Sequence, residues 1–208
     1  MAGDRLPWDE ELDAYVEIDL ACARLARELR DSARRVIGLL PAPSTAPVQN
    51  VARQLAIAVS RLTRTAVVIL DPEASTVEAR PRSGSAADAG DGSGASGFSA
   101  DDPIAHALFG LHRVDPLILL CAPERAAPPG AKAELLKLML RHVEANVAHG
   151  MVLVDMKGLV RPGEMLGANA LLEGIIVVGH AAKTDEPELL RTARRVPPEL
   201  ALGVLLGE

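Results

Sequence analysis

The stretch Val36–Val59, VIGLLPAPSTAPVQNVARQLAIAV, decides how the rest of the chain is read. Its first five residues are an apolar run of strand length. A loop holding Pro41, Pro43 and Pro47 follows. Beyond it, Val48, Val51, Leu55, Ala58, Val59 and Leu62 recur at three- and four-residue spacing, the mark of a helix that buries one stripe. Strand, loop and helix in that order form the first half of a βα unit, and similar apolar runs recur downstream. Strands are expected at Val36–Leu40, Ala66–Leu70, Leu117–Ala122, Met151–Met156, Gly174–Gly179 and Leu202–Leu206. Helices are expected at Tyr15–Ser32, after the proline loop, at Ala131–Val147 and from Asp185 onward. Near-continuous apolar strands alternating with helices predict a three-layer α/β/α fold around a mostly parallel sheet covered on both faces.

Helix faces can be assigned in the same way. Leu20, Ala23, Leu25, Ala26 and Leu29 form the expected core side of the first helix, and Leu135, Leu138, Met139 and His142 that of Ala131–Val147. In TDEPELLRTARRV, Asp185 is a helix cap, Pro187 takes an early position that needs no N–H partner, and Glu188 completes a D-x-x-E capping pattern.

Composition bounds the remaining choices. The 208 residues suit one domain, with residues 1–14 as a flexible N-terminus and 15–208 as the folded unit. Hydrophobic residues make up 49% but aromatics only 2%, so Leu, Val, Ile and Ala must fill the core. The formal net charge is -6, and the arginines are interspersed with carboxylates, which argues against nucleic acid as a partner. Cys22 and Cys121 match no metal or redox spacing and read as small buried residues. No apolar run approaches the roughly 20 residues of a membrane span, so a cytoplasmic protein is expected, reaching the inner membrane only as a peripheral partner of another protein. Residues 80–102, rich in Gly, Ser, Ala and Asp, have too little apolar surface to offset the entropy of ordering and read as a disordered insertion.

In a parallel α/β sheet ligands bind beyond the carboxyl ends of the strands. The proline loop lies at such an end. Aligned on Leu55-Ala56 with the phosphate-binding motif G-x-x-x-x-G-K-[ST], it puts Ala42 and Pro47 at the glycines, Val48 at the lysine and Gln49 at the hydroxyl residue. Prolines remove three backbone donors, one of them at the helix start where phosphate would receive N–H bonds. Two readings stay open: a nucleotide loop that has degenerated, or a βα turn that never held phosphate. Asp71 and Glu73 follow one strand and Asp155 closes another; such carboxylates hold Mg²⁺ or orient water, although an Asp at a strand end also serves as a cap. Lys157, His180 and Lys183 are candidates for the rim. The histidines lack metal-ligand spacing, and no serine sits in a G-x-S-x-G turn.

Taken together, YVEIDLACARLARELRDSARRVIGLL, NVARQLAIAVSRLTRTAVVILDPE, LILLCAPERAAPPGAKAELLKLML, MVLVDMKG and LLEGIIVVGHAAKTDEPELLRTARRV resemble, in order, segments of the cytoplasmic P-loop ATPase domain of bacterial tyrosine autokinases of the capsule and exopolysaccharide type, within the wider MinD/ParA class. The resemblance spans about Tyr15–Leu206 and implies that Asp71 and Glu73 take the Walker A' place and Asp155 the Walker B place, with ATP and Mg²⁺ as the family's cofactors. This chain departs from the family at every Walker A signature residue. It has Lys157-Gly158 where paired prolines are usual, and Tyr15 is its only tyrosine where the family carries a tyrosine-rich tail. The expected function is therefore a non-catalytic regulatory or scaffolding relative, without a nucleotide cofactor. Its expected partner is a polysaccharide co-polymerase, an active paralogue or a second copy. The alternatives are a weak ATPase or tyrosine kinase that draws its cation from Lys157, Lys183 or a neighbouring subunit's arginine, and a MinD/ParA-like positioning protein.

Overall fold

The computed structural model describes residues 20–43, 45–73, 109–123, 128, 130–147 and 150–207. The elements in chain order are α1 (Leu20–Asp31), β1 (Val36–Pro41), α2 (Val48–Thr63), β2 (Val67–Leu70), β3 (Phe109–Asp115), β4 (Ile118–Pro123), α3 (Lys132–Asn146), β5 (Met151–Asp155), α4 (Pro162–Asn169), β6 (Gly174–His180), α5 (Glu186–Ala193) and β7 (Ala201–Gly207), with a short 3-10 turn at Lys157–Leu159. The strands form one sheet in the order β3-β4-β2-β5-β1-β6-β7. Every neighbouring pair is parallel apart from β3 and β4. The fold is thus α/β with a mostly parallel seven-stranded sheet, as the apolar runs predict.

Alternation along each strand divides the core in two, because successive side chains leave opposite faces of the pleat. Ile37, Leu39, Val67, Ile69, Leu153, Ile176 and Val178 pack under α1 and α2. Leu40, Val68, Leu70, Val152, Val154, Ile175 and Val177 pack under α3 and α4, with Val196 beyond α5 joining the same side. Both cysteines are buried, and burial pushes the Cys121 thiol up to about 12.

The helix stripes need correction in detail. On α2, Val48, Val51, Leu55, Ala58 and Val59 are buried as expected, but Leu62 is exposed where the helix runs past the sheet. On α1 the buried side is Cys22, Ala26 and Leu29, while Leu20 is 87% exposed. On α3 it is Leu136, Met139, Leu140 and Val143; Leu135, Leu138 and His142 only flank that face. Asp185 caps α5 as expected, its carboxylate accepting from the Glu188 N–H at 2.9 Å.

Two elements were not expected. β3 is an edge strand whose His112 and Arg113 face water, so it lacks an apolar run; it closes on β4 through a turn in which the Asp115 carboxylate accepts from the Leu117 N–H at 3.3 Å. The eight-residue α4 is too short for periodicity to show, though Pro162 stands in its first turn. The flexible segment expected at 1–14, residues 15–19 of the first predicted helix and the insertion at 80–102 lie outside the described residues. Among the described residues no helix is long and apolar enough to cross a membrane.

Leu55 is fully buried between α2 and the sheet. Leu55→Ala is expected to cost about 2–5 kcal/mol in chemical denaturation, whereas Leu62→Ala, at the exposed end of the same stripe, should cost under about 1 kcal/mol.

Candidate functional site

The carboxyl ends of β1, β2, β5 and β6 open on one edge of the sheet, and each sequence-predicted site residue lies there. β2 and β5 are parallel neighbours with Leu70 opposite Val154, so Asp71 and Asp155 leave adjacent strands at the same level. Both are buried, Asp71 at 6% and Asp155 at 2% exposure. One Asp155 oxygen accepts from the Lys157 N–H at 2.9 Å. Asp71 accepts from the Glu73 N–H at 3.0 Å with one oxygen and from the Gln49 side-chain amide at 3.0 Å with the other. Burial, reinforced by the neighbouring Asp71 and Glu73 and opposed by the Lys157 N–H and ammonium, raises the Asp155 carboxyl to about 7.

The proline loop is built differently from an open anion cradle. Ala42 is fully buried; its N–H donates to the Val178 carbonyl at 2.7 Å, and its carbonyl accepts from the Thr184 hydroxyl at 3.0 Å. The Ala46 N–H donates to the Pro43 carbonyl and the Val48 N–H to the Ala46 carbonyl, each at 2.9 Å. Pro41, Pro43 and Pro47 have no N–H to offer, and Pro47 itself occupies the cap position of α2. Val48, aligned with the lysine of the phosphate-binding motif, is 2% exposed and packs into the α1–α2 core. Gln49, aligned with the hydroxyl residue, spends its amide on Asp71.

Of the rim candidates, Lys157 and Lys183 have exposed side chains, and His180 is half-buried at the end of β6 on the far side of β1 from Asp155. His180 Nδ1 accepts from the Ala182 N–H at 3.2 Å, while its own N–H donates to the Thr184 hydroxyl at 2.7 Å, so Thr184 staples the β6 turn to the proline loop.

The structure adds two residues that sequence reasoning missed. Lys132, at the start of α3, forms an ion pair with Glu73 at 3.1 Å. A Cβ at Gly158 would stand 2.8 Å from the Lys132 ammonium and 3.3 Å from Glu73 Cβ, so the glycine there leaves room for the pair. Glu164, 5% exposed on α4, accepts from the Lys132 N–H at 3.2 Å and the Ala133 N–H at 2.8 Å. These are orphan donors of the first turn of α3, whose own cap residue Ala131 has no side chain to offer them. The only local signal was a Glu in the first turn of a short Pro-led helix; its partners are distant in sequence. Among the described residues no three His, Cys, Asp or Glu side chains gather as a metal site requires.

No protein-family model matches the chain, and none of the curated proteins is similar to it in sequence. Solved structures are similar in fold. The VpsO kinase domain superposes with a TM-score of 0.56 at 12% identity, covering 97% of this chain and 98% of its own. The chimerical protein CapA2B2 gives 0.50 at 10% identity, over 88% and 81%. A ParA family ATPase from Chlorobium tepidum gives 0.47 at 15% identity, over 84% and 74%. The chain therefore shares the α/β fold of the VpsO kinase domain.

Two outcomes test the site's electrostatics. The Asp155 carboxyl is raised above its ordinary value of about 3.8, so the folded state binds a proton that the unfolded chain has released. The contribution of Asp155 to stability should be fully present below about pH 4, be lost as pH rises toward about 7 and level off above it. Asp155→Asn, which keeps an acceptor for the Lys157 N–H, should flatten that slope and stabilise the protein at pH 8 by roughly 2–4 kcal/mol, read from urea melts across pH. Conversely, Glu164→Ala strips two amides of a charged acceptor and should cost about 1.5–3 kcal/mol, with Glu164→Gln losing less.

Proposed function

We propose that this chain is a non-catalytic protein on the tyrosine-kinase-type P-loop fold, acting as a regulatory or scaffolding component. The observation that carries this reading is the occupation of the loop at the mouth of β1: the amides of Ala42, Ala46 and Val48 already donate to protein carbonyls, and three prolines donate nothing. A bound triphosphate needs converging N–H groups and a cation. Here the side chain aligned with the cation is a valine sealed in the core. Charge-assisted hydrogen bonds are worth about 1.5–3 kcal/mol each, so losing several removes most of the grip on a nucleotide. Phosphoryl transfer relies on the same contacts for positioning and charge stabilisation.

With ATP and Mg²⁺ fitting poorly, the fold's remaining use is as a surface. The family resemblance of the sequence extends this to a role in exopolysaccharide synthesis or export, with a polysaccharide co-polymerase, an active paralogue or a second copy as partner, on the cytoplasmic side of the membrane. One observation favours a competing reading as a weak ATPase: Lys132 brings an ammonium to the same mouth, paired with Glu73, and a nucleotide could draw it away.

Titration with a fluorescent ATP analogue and Mg²⁺ separates the two. No saturable binding is expected for the wild-type chain. Micromolar binding that is lost in both Asp71→Ala and Lys132→Ala would overturn the non-catalytic reading in favour of the ATPase.

A further inference from the structure

Among the described residues nothing pairs with the edge of the sheet opposite β3. β7 has β6 on one side and, among the described residues, no strand on the other. Its sequence, ALGVLLG, contains no charge and no proline, the devices that usually keep an exposed edge from pairing. Val204 and Leu206 are 50% and 45% exposed. Beside this strand runs a groove of about 610 Å³, floored by Ile176 and Leu202–Leu205 and walled by α1 through Leu20, Arg24 and Arg27. Neither arginine has an ion-pair partner among the described residues; Arg30, further along α1, is paired with Asp31 at 2.8 Å.

Residues 1–19 join the described chain at the mouth of this groove, because Leu20 is both the first residue of α1 and part of the wall. They carry seven carboxylates against a single arginine, Arg5. They also hold the chain's only tryptophan, Trp8, and its only tyrosine, Tyr15, in a protein otherwise nearly devoid of aromatics. Trp8, Leu12 and Tyr15 recur at four- and three-residue spacing, interleaved with Asp9, Glu10 and Asp13. The reach is ample: 19 residues extend to about 60 Å, while α1, which forms the groove's wall, is about 18 Å long.

We propose that the groove between α1 and the open edge strand β7 is the docking site of the chain's own residues 1–19, with Trp8 and Leu12 against the apolar floor and the acidic side chains on Arg24 and Arg27. Such docking covers the uncharged edge and satisfies two solvent-facing cations. It also gives the molecule a face that a competing acidic-aromatic segment of a partner could claim by displacing its own.

The single tryptophan makes the test direct in the intact chain. Trp8 fluorescence is expected at a short-wavelength maximum, with acrylamide quenching several-fold weaker than in a synthetic peptide of residues 1–19. The double variant Arg24→Glu/Arg27→Glu, at exposed positions of α1, should shift the emission red and raise quenching toward the peptide's value while far-UV circular dichroism stays unchanged. Val204→Asp should do the same by charging the floor, and about 1 M salt, where the Debye length is about 3 Å, should act in the same direction on the wild type. Peptide-like quenching in the wild type, or shielding indifferent to both variants, would overturn the proposal. So would shielding that vanishes on dilution together with a fall in mass by light scattering, which would assign the groove to a second copy.

Discussion

Burial of the sheet on both faces is the constraint from which the rest of this structure follows. A central strand covered by helices above and below can carry no polar side chain along its length without leaving it unpaired in an apolar core, a cost of roughly 1–3 kcal/mol or more for each group. Polar chemistry is therefore pushed to the strand ends. In this chain the buried carboxylates Asp71 and Asp155 sit just there, Asp71 as the first residue after β2 and Asp155 as the last residue of β5. Each is kept by a turn amide two residues on, the Glu73 N–H for one and the Lys157 N–H for the other.

The same edge is organised around internal partners. The proline loop turns its amides to its own carbonyls and to β6, Gln49 turns to Asp71, Lys132 to Glu73, and Glu164 to the start of α3. A mouth satisfied in this way has fewer donors to give a visitor, since a hydrogen bond from the Ala42, Ala46 or Val48 amide to a ligand would first have to break one within the protein. The exception is Asp155, whose carboxyl is raised to about 7 by burial first and by the neighbouring Asp71 and Glu73 second, against the Lys157 N–H and ammonium. Retained carboxylates beside a committed loop are the physical content of the proposed loss of catalysis.

Periodicity carried a great deal of this. All six expected strands exist within a residue or two, the proline loop sits between β1 and α2, and Asp71 and Asp155 do end neighbouring strands. The failures are equally specific. β3 lies on an edge, where one side needs no burial, and its adjacent His112 and Arg113 break the apolar alternation of a strand, so FGLHRVD resembles loop. The stripe of α3 was displaced by one position because Leu135, Leu136, Leu138, Met139 and Leu140 permit two faces, and only contact with Val152 and Val154 selects Leu136, Met139 and Leu140.

What the sequence alone determined is the set of properties that repeat with the geometry of a single element: which segments are strands, which are helices, and that Pro41, Pro43 and Pro47 cannot donate. Such features need no neighbour, because a side chain's direction follows from the backbone that bears it. The tertiary structure alone decided who meets whom at the mouth. Gln49 finds Asp71 across 22 residues, the Lys132 backbone finds Glu164 across 32, and the Lys132 ammonium finds Glu73 across 59. No local pattern encodes these pairings, for they depend on strand order and on how far each helix slides along the sheet, quantities that the packing of the whole core sets at once.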